Sequence, residues 1–267
     1  MKILLAAFLY TGLMVAGTNN QDDKTSLRSL YPEKGHFIKY QQEWQMSLYN
    51  KKIDEFKNNP IGQGKIVFLG NSITEAGGDW NVRFGTSNIV NRGISGDMTE
   101  GVLNRLDEII HYKPIALFLL IGINDIFDAN IPERQKITPS YVSNNIFSIV
   151  ETIVDKSPDT KIFIQTILPI NDKIYTKEKG WFPDHPVPLP DQISEINSLL
   201  KERSKSRPFI LIDLHSAFID DEGLLNERFT TDGVHLNSSG YDNWVKFIRK
   251  DVSVSYTHLT LPTIYSV

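Results

Sequence analysis

The 267-residue chain contains no cysteine. That absence excludes disulfides, thiolate metal sites and a cysteine nucleophile. It also suits an oxidising compartment, where a free thiol is a liability. Basic charge is not in excess either: 28 Lys and Arg stand against 32 Asp and Glu, a formal charge of −4. A nucleic-acid surface needs a clustered basic excess, so no nucleic-acid partner is expected. Long apolar runs are scarce. Ile3 to Val15 is broken by Tyr10 and Thr11 and is too short to span a bilayer comfortably. Flanked by Lys2 and by Ala16-Gly17, it reads as a secretory signal over residues 1–17. A periplasmic or secreted protein with no stable membrane span after cleavage is therefore expected. What is present is ordinary: 40% hydrophobic and 22% charged residues, enough to bury a sizeable core.

Residues 18–37 read as a flexible leader and 38–253 as one domain. Lys39 to Phe56 carries Trp44, Leu48, Ile53 and Phe56 at helical spacing, which predicts a helix packed inward through those four residues. Ile66 to Leu69 is an apolar strand ending in Gly70-Asn71-Ser72. Asn88 to Asn91 is a short second strand, and Thr99 opens a helix with Val102, Leu103, Leu106, Ile109 and Ile110 inward. Ile115 to Ile121 is almost purely apolar, as a parallel strand buried on both faces should be. A helix over Pro139 to Val154 and strand Lys161 to Leu168 follow. Helix Gln192 to Ser204, strand Phe209 to Leu214 and helix Ser238 to Val252 complete the alternation. It predicts one α/β domain with a parallel sheet of about five strands. Pro169 to Pro190 interrupts it, with five prolines, Tyr175, Trp181, Phe182, His185 and little periodicity. Such a long loop in a compact domain is functional or disordered, and its aromatics argue against disorder. Val254 to Val267 lacks helical periodicity and resembles a translated sequencing-library adapter. It reads as a non-native tail and is set aside, His258 included.

Polar residues follow the apolar strands. Ser72 is either the N-cap of the next helix or a nucleophile. Gly93 and Gly96 permit tight turns, and an exposed Gly96 N–H can point at a ligand oxygen. Asn124 is a turn residue or an amide donor aimed into a site, and Asp125 holds its loop. In Asp232-Gly233-Val234-His235, residues three apart can lie side by side, so the carboxylate can orient the imidazole as a base. Asp213-Leu214-His215 is a rival pair, but alternate residues of a strand end lie nearly two rises apart. Asp213 is read as structural. Together these supply a nucleophile, an oriented base and three oxyanion donors, the parts needed for acyl transfer.

The four blocks Gly70-Asn71-Ser72, Asn91 through Asp97, Gly122-Ile123-Asn124-Asp125 and Asp232 through His235 resemble, in order, those of the SGNH or GDSL lipase/esterase family. Gly96 through Leu106 resembles its platelet-activating-factor acetylhydrolase-like branch and bacterial acetylesterase relatives. Asn71 departs from the aspartate common at that position. The resemblance implies a flavodoxin-like three-layer α/β/α sandwich and a catalytic set of Ser72, Gly96, Asn124, Asp232 and His235, with no metal or organic cofactor. It implies a serine esterase, with small acyl groups (acetyl foremost) on a small-molecule or carbohydrate ester as the expected substrate. The aromatics Trp181 and Phe182, joined by Trp80, suit stacking on a sugar. A lipase or thioesterase with the same residues is the alternative, and a non-catalytic carbohydrate-binding protein the reading from another class.

Overall fold

The computed structural model describes residues 27–128 and 132–257. The expected signal, the leader up to residue 26 and the tail from His258 onward lie outside them. In chain order the elements are α1 (Glu43–Asn58), β1 (Ile66–Gly70), α2 (Ser72–Glu75), α3 (Trp80–Phe84), β2 (Ile89–Gly93), α4 (Thr99–Leu103), α5 (Asp107–Tyr112) and β3 (Ala116–Leu120). Then follow α6 (Ile123–Ile126), α7 (Pro139–Lys156), β4 (Lys161–Gln165), α8 (Asp172–Lys179), α9 (Leu189–Arg203), β5 (Ile210–Ile212) and α10 (Ser238–Thr257).

The strands form one parallel sheet in the order β2-β1-β3-β4-β5. That is the flavodoxin-like order, in a three-layer α/β/α sandwich. β1 and β3 are buried along their whole length, which explains their unbroken apolar sequence. Phe68, Phe118 and Phe163 share a register line, and their rings stack at 5.0 and 4.4 Å. Trp80 stacks on Phe68 at 4.6 Å, and Trp244 meets Trp80 edge-on at 4.9 Å. This row fastens α3 and α10 to one face of the sheet. Trp80 is only 1% exposed, so it belongs to the core and not to a sugar platform as expected.

Other expectations shift for identifiable reasons. In α1 the buried residues are Gln45, Tyr49, Ile53 and Phe56, while Trp44 and Leu48 lie outward. Polar side chains occupy the inward stripe because the helix rests on a loop rich in backbone acceptors: Gln45 donates to the Gly96 carbonyl and Tyr49 to that of Gly101. The helix from Thr99 is two helices, and at the break between them the Arg105 side chain reaches Asp97 and the carbonyls of Arg92 and Gly70. The Pro169–Pro190 stretch contains α8, whose ends are made by the Asn171 cap and left-handed Gly180. Within residues 27–37, Leu27 and Leu30 pack against the core and Tyr31 is buried, donating to Glu108 Oε1 at 2.6 Å, while residues 33–37 are exposed. Helix α10 runs to Thr257, past the expected domain end at residue 253.

Candidate active site

The chain leaves β1 toward β2 on one side and returns to β3 on the other, so a crevice opens beyond the carboxyl ends of β1 and β3. In open α/β sheets ligands bind at such a switch point. A cleft of about 400 Å³ lies there, with Ser72, Gly96, Asn124 and His235 in its wall.

Ser72 is not the cap of its helix. The Asn71 side chain takes that part, accepting from the Ile73 N–H at 3.0 Å. Ser72 is the first residue of α2, where a backbone N–H has no intrahelical partner. Its hydroxyl lies 3.0 Å from His235 Nε2. On the far side of the ring, Nδ1 is 2.9 Å from Asp232 Oδ2. Asp232 Oδ1 accepts from the backbone N–H groups of Val234 and His235 at 3.1 and 2.8 Å. Burial works to raise the Asp232 pKa, but the hydrogen bonds from His235 and the turn outweigh it and hold the carboxyl well below the usual carboxylate range. An ionised carboxylate only accepts, so Nδ1 carries the proton and Nε2 presents its lone pair to Ser72. Lys179 Nζ, 3.4 Å from Asp232 Oδ2, adds a cation to the same oxygen.

Gly96 occupies the third position of a turn closed by the Asp97 N–H on the Ile94 carbonyl at 3.0 Å. Its φ of +78° is the left-handed geometry that a type II turn requires there. A β-carbon would also lie 2.8 Å from the far edge of the Trp44 indole, which would have to shift. Asn124 donates one amide hydrogen to the Asp97 carbonyl at 2.9 Å, which aims the amide and leaves its second hydrogen available. Asp125 is 1% exposed and accepts from the Thr99 N–H and hydroxyl. Burial lifts its carboxyl to about 7 against the pull of those bonds. It fixes the loop that carries Asn124, as expected.

The rival pair stands apart. Asp213 accepts from Thr166 and Ser216, and neither it nor His215 lines the cleft. Of the aromatics expected at the site, Trp181 and Phe182 both pack edge-on against Phe127 and Tyr175, and only Trp181, 46% exposed, also lines the cleft. Sequence reasoning missed Trp44, Gln45, Arg134 and Lys179. No spacing signal marks them, because each reaches the site through tertiary packing.

A strand-end serine hydrogen-bonded to a histidine, with Gly96 and Asn124 beside it, thus lines a cleft at the carboxyl edge of a flavodoxin-like sheet. Residues 68–242 match the GDSL-like Lipase/Acylhydrolase family, and the chain belongs to it. It is an ester hydrolase. The human platelet-activating factor acetylhydrolase IB subunit alpha1 is 24% identical over 202 residues, covering 73% of this chain and 77% of the relative. A GDSL-like lipase from Bacteroides thetaiotaomicron superposes with a TM-score of 0.63 at 22% identity, covering 78% of this chain and 98% of its own. An acetylxylan esterase from Geobacillus stearothermophilus does so with a TM-score of 0.57 at 18% identity, over 72% and 95%. At these identities the two solved structures speak for the fold.

Proposed function

We propose that this chain is an exported serine esterase that removes small acyl groups, acetyl first, from carbohydrate esters. The observation that carries the reading is the hydrogen-bonded row Ser72–His235–Asp232 beneath a cleft walled by two exposed tryptophans, Trp44 and Trp181. A cleft of about 400 Å³ suits a sugar ring and a short acyl group. Indole faces suit the apolar faces of sugar rings. The expected signal over residues 1–17 supports export, and N-terminal sequencing of the mature protein tests it.

Ser72 Oγ attacks the acyl carbonyl carbon while His235 Nε2 takes the hydroxyl proton. The N–H groups of Ser72 and Gly96 and the Asn124 amide receive the oxyanion, each such donor contributing about 3–4 kcal/mol to the barrier reduction. The intermediate collapses, and His235 returns the proton to the leaving alcohol. Water then attacks the acyl-serine with His235 again as base, releasing the acid and restoring the serine. Asp232 keeps the ring in one tautomer and stabilises the imidazolium.

The test is a nitrophenyl ester series of increasing acyl length together with acetylated oligosaccharides, run on the wild type and on Ser72→Ala. The reading expects a maximum at acetyl, release of acetate from the oligosaccharides, and no turnover by a folded Ser72→Ala variant. A maximum at long chains points to a lipase instead.

A further inference from the structure

Helix α1 precedes the family-matched residues, which begin at 68, yet it grips the turn that carries Gly96. In a type II turn the central peptide, here Ser95 to Gly96, is held only through its neighbours. Rotation of that one peptide swings the Gly96 N–H away from the cleft. Both neighbouring peptides are pinned by α1. On one side Gln45 Nε2 donates to the Gly96 carbonyl at 2.7 Å. On the other, the Ser95 N–H and hydroxyl both donate to Glu75 Oε2 at 2.6 Å, and Glu75 pairs with Lys52 of α1 at 3.0 Å.

Gln45 cannot turn its amide over. Its Oε1 accepts from the Gln42 N–H and from Arg134 Nη2, so a flipped amide would set donors against donors and oxygen against oxygen. Arg134 is itself fixed, with Nε donating to the Tyr40 carbonyl at 3.0 Å. Gln45 is 2% exposed and Arg134 4%, so water does not replace a lost bond at little cost. The Trp44 indole closes the outer side of Gly96.

We infer that α1 belongs to the catalytic apparatus: Gln45, locked by Arg134, is a positioning residue that keeps the Gly96 N–H aimed at the oxyanion, and the Lys52–Glu75 pair does the same from the Ser95 side. This rests on the proposed role of Gly96 as an oxyanion donor. The bond made by Gln45 is the same with substrate or transition state bound. Its effect therefore falls on charge stabilisation and not on substrate affinity.

The experiment compares full-length wild type with Gln45→Met, which keeps the volume, and Gln45→Glu, which keeps the acceptor for Arg134 but loses the donor to Gly96. Lys52→Met is the third variant, and it tests the brace where a Gln45 variant does not fold. The substrate is nitrophenyl acetate, and the inhibitor is an aryl trifluoromethyl ketone, which forms a reversible tetrahedral adduct with a serine. Loss of aim at one donor should lower kcat about tenfold to a hundredfold, short of its complete removal. KM should stay within about twofold, and the inhibition constant should rise by the factor that kcat falls. Lys52→Met, acting at longer range, should lower kcat severalfold. An unchanged kcat in a folded variant, or a rise in KM alone, overturns the inference. Asn124→Ala separates the two levels. If it leaves kcat intact, the oxyanion reading itself fails. If it lowers kcat while the Gln45 variants do not, only the brace fails.

Discussion

Asp232 gathers three hydrogen-bond donors and one cation: two backbone N–H groups on Oδ1, and the His235 ring and the paired Lys179 ammonium on Oδ2. A depressed folded-state pKa means that the folded protein releases this proton more readily than the unfolded chain. The resulting stability is present above the ordinary carboxylate pKa of about 4 and is lost as pH falls toward the folded value. The melting-temperature gap between wild type and Asp232→Asn should therefore narrow as pH is lowered from neutral to acid. The same variant should lose about 10³–10⁴-fold in kcat at neutral pH, because an amide does not hold the ring in the required tautomer. Lys179 adds an ion pair to Oδ2 that its 45% exposure leaves screened, so its contribution to holding the carboxylate is small.

At the scale of elements, α8 docks on the Asp232–His235 turn. The Asn171 N–H donates to the Gly233 carbonyl at 2.8 Å, and a β-carbon at Gly233 would lie 2.2 Å from the Asn171 carbonyl oxygen. Glycine at 233, with its φ of +87°, lets the Asp232–His235 turn and the α8 segment share one contact. Tyr175 buries against Phe127, and Trp181 extends from the end of α8 into the cleft. That division gives a prediction. Trp181→Ala should raise KM for acetylated oligosaccharides about tenfold, the range of a lost aromatic stacking contact, while nitrophenyl acetate is hydrolysed as before. An equal effect on both substrates would assign Trp181 to the loop's structure and not to the sugar.

Across the whole molecule, the aromatic row from Trp244 through Trp80, Phe68 and Phe118 to Phe163 ties the sheet to α3 and α10. Phe118 is central and fully buried. Phe118→Ala should cost about 3–5 kcal/mol and lower the melting temperature by about 10 °C, measured by calorimetry. The row stands on the face where α10 also meets α2, through the Tyr241 hydroxyl on the Ile73 carbonyl at 2.8 Å. A loosened core therefore reaches the helix that carries Ser72, and kcat in this variant should fall steeply with temperature before global unfolding.

The sequence by itself determined the strand order of chemistry. Apolar runs of strand length lead into Ser72 and Asn124, a short strand precedes Gly96, and helices separate them, so these residues must collect at one edge of a parallel sheet. The pair Asp232 and His235 was legible too, since three residues of separation make their contact local. Only the tertiary structure decided what depends on distant packing. Trp80 went to the core because Phe68 and Trp244 offer its large surface partners on both sides. Trp44 went to the cleft because the stripe of α1 that faces inward is set by hydrogen bonds to Gly96 and Gly101, which hydrophobic periodicity does not record. Arg134 and Lys179 reach the site from segments with no motif at all. Their positions follow from which loops meet above the sheet, and that is fixed by folding of the whole chain.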